Sequence, residues 1–203
     1  MKKLLLGLSI SVLWCTAALA QVSVVKVINF TCAICRASDS QDPYIKASVE
    51  KAGGKLAYAA MPSEETQGIR ELYYYAARNK MPDMDTKFRQ ALFKGSQDLN
   101  MPLQDIVQLN EFFAQEFSDS KSNWSEIGMD AASGTEPKQS LGRALKMIVQ
   151  SGAQRLPTYI VLSGTQIMGV LDQDTAGKTG SLIALREAVV DAVNQQTAKS
   201  TKK

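Results

Sequence analysis

Val22-Ser-Val-Val-Lys-Val-Ile-Asn-Phe30, followed after Thr31 by Cys32-Ala33-Ile34-Cys35, is the stretch whose reading decides the fold. Apolar, β-branched residues fill both alternating sets of positions from Val22 to Phe30, which predicts a strand buried on both faces. The two cysteines stand three apart where that strand gives way to a helix. At a helix start, free N–H groups and the helix dipole favour a thiolate. A second sulfur one turn behind can close or release a disulfide. These residues therefore point to thiol–disulfide exchange at Cys32 and Cys35.

The chain opens with Met1-Lys2-Lys3, an apolar segment from Leu4 to about Trp14, and Ala18-Leu19-Ala20. This is the order of a secretory signal peptide with cleavage after Ala20. A lipoprotein reading would use Cys15, but bulky Trp14 stands before it where a small residue is wanted. Cleavage removes Cys15, so the C-x-x-C pair holds the remaining cysteines. It also removes Lys2 and Lys3, which leaves 21 basic and 20 acidic residues. That balance suggests neither nucleic acid nor an anionic membrane as partner. Lys199 to Lys203 reads as a solvated tail rather than a binding arm.

Further along, Arg36 to about Lys51 reads as a helix that Asp42-Pro43 should kink or interrupt, with Gly53-Gly54 ending it. Lys55 to Ala60 is a second strand stopped by Met61-Pro62. From Ser63 to Gly152 the pattern turns helical. Ser63-Glu-Glu-Thr66 resembles a helix cap, with Ile69, Leu72, Tyr73 and Ala76 on one face. A piece over about 85–94 closes at Gly95, and another opens after Pro102 with Leu103, Ile106, Val107, Phe113 and Phe117. A polar stretch over 118–133 holds Trp124, and a last helix runs from Pro137 to Gly152. Thr158 to Leu162 and Gln166 to Leu171 form a hairpin about Ser163-Gly164. A helix capped by Ser181 follows, with Leu182, Leu185, Val189, Ala192 and Val193 on one face. In Tyr73-Tyr74-Tyr75 one or two rings are expected to pack while the others face outward.

The layout resembles the DsbA family of exported thiol–disulfide oxidoreductases. Its carriers are the strand before Cys32-Ala-Ile-Cys35, the helical insertion, and Leu156-Pro157-Thr158 leading into a strand and hairpin. The resemblance implies an α/β, thioredoxin-like fold with an inserted all-helical domain. On that reading, residues 1–20 are the signal peptide and 21–62 the first half of the thioredoxin-like domain. Residues 63–152 are the insertion, 153–197 the second half with the cis-Pro loop, and 198–203 a disordered basic tail. It further implies a monomeric periplasmic enzyme in which Cys32 is the nucleophile and Cys35 the resolving cysteine. Pro157 would be cis and face the pair beside Leu156, while Ala33, Ile34 and Thr158 border the substrate. Unfolded or partly folded exported proteins would be the substrates, and a membrane partner would reoxidise the pair. No cofactor is implied.

The chain departs from that family in two respects. The buried acidic residue six positions before the first cysteine is here Lys26. Lys26 could sit near the strand's start and carry its ammonium to water along its apolar stem. Alternatively, a cation near Cys32 would favour the thiolate. The chain also contains no histidine, so the dipeptide Ala33-Ile34 lacks that means of stabilising a thiolate, and the direction of electron flow stays open between oxidant and reductant or isomerase.

Other uses of C-x-x-C fit poorly. Zinc wants two further Cys or His ligands, and haem attachment wants His where Arg36 stands. A purely structural disulfide would close too short a loop to contribute much. Without histidine there is no Ser-His-Asp triad, and no Gly-rich phosphate loop is present. A non-catalytic thioredoxin-fold chaperone or assembly factor of an envelope complex, or a structural part of one, remains the alternative to an enzyme.

Overall fold

A computed structural model describes residues 21–175 and 181–200. The signal-peptide reading of 1–20 lies outside them. Four strands, β1 (Val22–Ile28), β2 (Leu56–Ala60), β3 (Thr158–Ser163) and β4 (Gln166–Leu171), form one sheet in the order β2-β1-β3-β4. β1 runs parallel to β2 and antiparallel to β3, with Lys26 opposite Tyr58 on one side and Tyr159 on the other. Two-sided burial of β1 follows from this central position, as its unbroken apolar pattern requires. Val22 and Val24 face one core; Val25 and Val27 face the other.

Between β1 and β2 lie α1 (Ala33–Ser38), a 3₁₀ turn (Asp39–Gln41) and α2 (Asp42–Lys51). Pro43 marks an interruption, as one of the two expected outcomes, rather than a kink: it lies in the first turn of α2, where its missing N–H is no loss. α2 and α8 (Leu182–Ser200) cover the Val22/Val24 face through Ile45, Val49, Leu185, Val189 and Val193. α8 continues helical to Ser200, past the point where a disordered tail was expected, because nothing in Thr197-Ala-Lys-Ser200 breaks a helix. Residues 201–203 lie outside the description.

The helical block packs on the opposite face. It comprises α3 (Ile69–Lys80), α4 (Asp85–Phe93), α5 (Ile106–Glu116), α6 (Trp124–Ser133) and α7 (Thr135–Ser151). α3 begins at Ile69 after Gly68 in the left-handed region (φ 83°), not at the Ser63–Thr66 cap. α4 does not close at Gly95 but passes into a π turn, Lys94–Asp98. There Gly95 admits Leu103 and Phe112, each of which would lie 3.0 Å from an added Cβ. Tyr73, Tyr74 and Tyr75 are all buried. The expectation of an outward ring fails because α4, α5, α6 and α7 pack around α3, and its Tyr75 and Arg78 reach β2 at Ala60 and Tyr58. Each hydroxyl has a partner: Asn110, Asp85 and the Ala60 N–H respectively. Phe88, Phe113, Phe117 and Trp124 form one aromatic cluster that closes the block, with centroids 5.4–6.2 Å apart in every pairing.

The turn from α2 into β2 brings Gly54 against the start of β1. An added Cβ there would overlap the Val22 carbonyl. Gly54→Ala is therefore expected to lower stability by at least about 2 kcal/mol, the upper range of an overpacking defect. Urea denaturation at neutral pH would measure it, and an unchanged midpoint would contradict this account of the turn.

Candidate active site

β1 delivers its last buried residues into a short turn held by Asn29. The Asn29 Oδ1 accepts from the Thr31 N–H (2.8 Å) and hydroxyl (2.7 Å), and its Nδ2 donates to the Met61 carbonyl at 3.1 Å. The Cys32 N–H closes the turn on the Asn29 carbonyl at 3.0 Å. Cys32 then takes extended geometry (φ −82°, ψ 107°) as the N-cap of α1, and its Sγ accepts from the Cys35 N–H at 3.1 Å. A cap sulfur in this place receives N–H groups that no helical carbonyl can reach. Asn29 was not singled out in the sequence; an Asx turn between a strand and a helix was the signal that could have found it.

The two thiols are unequal. Cys32 is half-buried, whereas Cys35 has no exposed surface. The hydrogen bond from the Cys35 thiol, helped by the Cys35 and Ile34 N–H groups and the positive charge of Lys26, lowers the Cys32 thiol to about 6 against the opposing effect of burial. Donating that bond, and burial, push the Cys35 thiol well up. One sulfur is thus half-exposed and favoured as the thiolate, and the other is buried behind it and favoured as the thiol.

Ala33 and Ile34 lie exposed on the first turn of α1, with Ile34 45% accessible. β3 starts opposite Val27, so the Arg155–Pro157 loop leaves the sheet at the same end as Cys32. The Leu156–Pro157 peptide is cis, Pro157 is buried, and Leu156 packs on the same core as Cys32. Thr158, expected to border the substrate, turns its side chain inward. It is buried, and its hydroxyl donates to the Arg155 carbonyl at 2.5 Å, because the side chain of the first strand residue turns inward. Arg36 and Asp98, neither anticipated, join α1 to the π turn through a bidentate pair at 2.5 and 2.7 Å. The outer side of α1 faces a cleft of about 670 Å³ lined in part by Arg36, Lys87, Lys94 and Phe93.

Lys26 does not reach water: it has 0% exposure. Alternation along β1 turns it to the α2 face, and its ammonium donates to Asp39 Oδ1 at 2.6 Å and to both Asp42 oxygens at 3.0 Å. The physical reason is proximity, since two carboxylates from the 3₁₀ turn and the start of α2 meet it before solvent does. Tyr58 and Tyr159 donate their hydroxyls to Asp42 at 2.9 and 3.3 Å. Arg89 of α4 lies flat on the Tyr58 ring, 3.3 Å from its centre, and pairs with Asp85 at 2.5 Å. Burial raises Asp42 above the usual carboxylate range, against the pull of Lys26. Lys26→Met would strand the buried Asp42 carboxylate and the part-buried Asp39 carboxylate, so stability at pH 7 is expected to fall by about 3–5 kcal/mol. A carboxyl with a raised folded pKa binds its proton more tightly folded than unfolded, so it destabilises as pH rises through that pKa. The Lys26→Met deficit should therefore shrink as pH falls towards the unfolded carboxyl value of 3.8. Urea melts at neutral and acid pH would show a pH-independent deficit if this account were wrong.

No protein-family model and no curated protein matches the chain. Solved structures do. DsbA of Pseudomonas aeruginosa matches with a TM-score of 0.68 at 16% identity, covering 91% of this chain and 88% of that one. The oxidoreductase DsbA of Xylella fastidiosa gives 0.67 at 15% identity, with 88% of each chain covered. BdbD of Bacillus subtilis in its oxidised form gives 0.63 at 16% identity, covering 86% and 89%. The helical block sits between βαβ and ββα halves of one sheet in this chain, and its fold is that of a DsbA-like thioredoxin-fold protein with a helical insertion.

Proposed function

We propose that this protein is an exported thiol:disulfide oxidoreductase that acts in the periplasm as a dithiol oxidant of unfolded or partly folded proteins. The observation that carries this reading is the inequality of the pair, a half-exposed, low-pKa Cys32 in front of a fully buried Cys35. In the oxidised protein, burial of Cys35 leaves Cys32 Sγ as the sulfur open to attack. A substrate thiolate attacks it, the Cys32–Cys35 bond breaks, and Cys35 leaves with the electron pair and takes up a proton. A second substrate thiolate then attacks the substrate sulfur of the mixed disulfide and releases Cys32 as its thiolate. The substrate loses two electrons and gains a disulfide; the protein gains both electrons. A membrane redox partner, as the DsbA resemblance implies, accepts them to restore the disulfide.

The oxidant direction rests on the reduced state. Whatever stabilises the Cys32 thiolate stabilises the dithiol, and so makes the disulfide more oxidising. The chain does this without histidine, through the Cys35 hydrogen bond, helix N–H groups and the buried cation of Lys26. Exposed Ala33 and Ile34 and the main chain of the Leu156–Pro157 loop would border an extended substrate beside Cys32.

Thiolate absorbance of the reduced protein is expected to titrate with a midpoint of about 6. Because this folded value lies below the ordinary 9.0, the advantage of the reduced state is full above that ordinary value and is lost as pH falls through the folded one. Cys32→Ser should abolish exchange with a model disulfide, and Cys35→Ser should accumulate mixed disulfides with substrate. A midpoint close to the ordinary thiol value, or exchange surviving in Cys32→Ser, would sink the reading.

A further inference from the structure

The outer edge of β2 carries features that the redox pair does not use. β2 ends the sheet. The Lys55 carbonyl accepts from the Val24 N–H, and the Met61 N–H donates to the Ile28 carbonyl. Alternation therefore turns the main-chain groups of Leu56, Tyr58 and Ala60 away from β1. Two of these are held by α3: Arg78 Nη1 donates to the Tyr58 carbonyl at 3.2 Å, and the Ala60 N–H donates to the Tyr75 hydroxyl at 2.9 Å. The Leu56 and Tyr58 N–H groups have no partner among the described residues.

Beside this open edge runs a groove in two adjoining parts of about 540 and 300 Å³. Ala57 and Ala59 leave room for it, and Lys55, Arg78 and Arg143 surround it. The Arg78 guanidinium is set by the Tyr75 ring, 4.7 Å from its centre, and by the Tyr58 carbonyl. Its Nε and Nη2 remain uncommitted among the described residues. Asn79, on the same wall, has a buried Nδ2 with no acceptor among the described residues. Two carboxylates also line the groove, Asp85 and Glu136, but Asp85 is already taken by Arg89 and Tyr74. Among the described residues the wall is thus net positive, with Lys55, Arg78 and Arg143 against Asp85 and Glu136, and Glu136 is the carboxylate left to face its free donors. Leu56 pairs with Val24 at the start of β1, whereas Cys32 follows its end, so the open edge lies at the opposite end of the sheet from the pair.

We propose that this groove binds an extended acidic protein segment, which adds to the edge of β2 and sets carboxylates against Arg78, Lys55 and Arg143. An extended chain brings carbonyls to the Leu56 and Tyr58 N–H groups, and its acidic side chains meet the cations on the rim. This site is independent of disulfide exchange.

The test uses the mature protein and a fluorescein-labelled peptide of about ten alternating Glu and Thr residues, long enough for strand addition, with a Lys–Thr peptide as control. Expected are salt-sensitive binding of the acidic peptide alone and amide shifts at Leu56 and Tyr58. Exposed Lys55 and Arg143 can be reversed together, Lys55→Glu with Arg143→Glu, which should weaken binding at least about fivefold, as two rim ion pairs would. Exchange at Cys32 should stay unchanged. Equal binding of the two peptides, no binding of either, shifts confined to residues 32–35 and 156–158, or undiminished affinity in the double variant would each overturn the proposal. Self-association of the protein through β2 in place of peptide binding would overturn it as well.

Discussion

The ammonium of Lys26 meets three carboxylate oxygens within 3.0 Å in a place with no solvent exposure. A lone charge there would be expelled or neutralised, since burying an unpaired ion costs several kcal/mol. Its partners come from the chain directly beyond α1, so satisfying Lys26 fixes how α1 leaves β1. The same carboxylates meet Tyr58 of β2, Tyr159 of β3 and, at 3.9–4.0 Å, Arg89 of α4. One buried cluster therefore ties three strands, the cysteine helix and the helical block together. A well-packed apolar core could provide equal stability. What apolar residues could not provide is a fixed positive charge close enough to favour both thiolates.

That charge acts on a pair whose inequality is already set by geometry. Cys32 occupies a cap position, where its sulfur collects N–H groups and the Cys35 thiol hydrogen bond. Cys35, one turn on, is enclosed by the core and keeps its proton. The largest contribution comes from the hydrogen bond between the two sulfurs, with the cation the smallest of those named. Lys26 accordingly bears on Cys32 only through its charge, while its contacts are with Asp39 and Asp42.

The helical block does two jobs through few residues. Its aromatic cluster belongs to one apolar core continuous with the Val25/Val27 face of the sheet, and Arg36–Asp98 and Arg89 fasten the block to the cysteine helix from outside and from below. The exposed Arg36–Asp98 pair contributes little by itself in water. The buried side carries the attachment, where Arg89 stacks on Tyr58 and faces carboxylates at a lower effective dielectric.

The local features were legible in the residues themselves. The unbroken apolar run of β1, the C-x-x-C at its end, the hairpin about Gly164 and the apolar faces of α3 and α8 all follow from periodicity and turn chemistry within a short window. What lay beyond such a window was whatever depends on which elements meet. Tyr73, Tyr74 and Tyr75 span nearly a full turn, and only the enclosure of α3 decides that none faces water. Thr158 heads a strand in the sequence, but only its loop shows the hydroxyl committed to Arg155. Lys26 is the sharpest case: an amphipathic side chain permits both a path to water and a buried pair, and nothing within thirteen residues on the strand side distinguishes them. Asp39 and Asp42 distinguish them, and they reach Lys26 only because a 3₁₀ turn folds α2 back across β1. The sequence by itself determined the elements and the C-x-x-C at the end of β1, because those rest on neighbours in the chain. The tertiary structure alone decided the charge environment behind the pair and the open edge of β2, because electrostatics and strand pairing depend on distance in space.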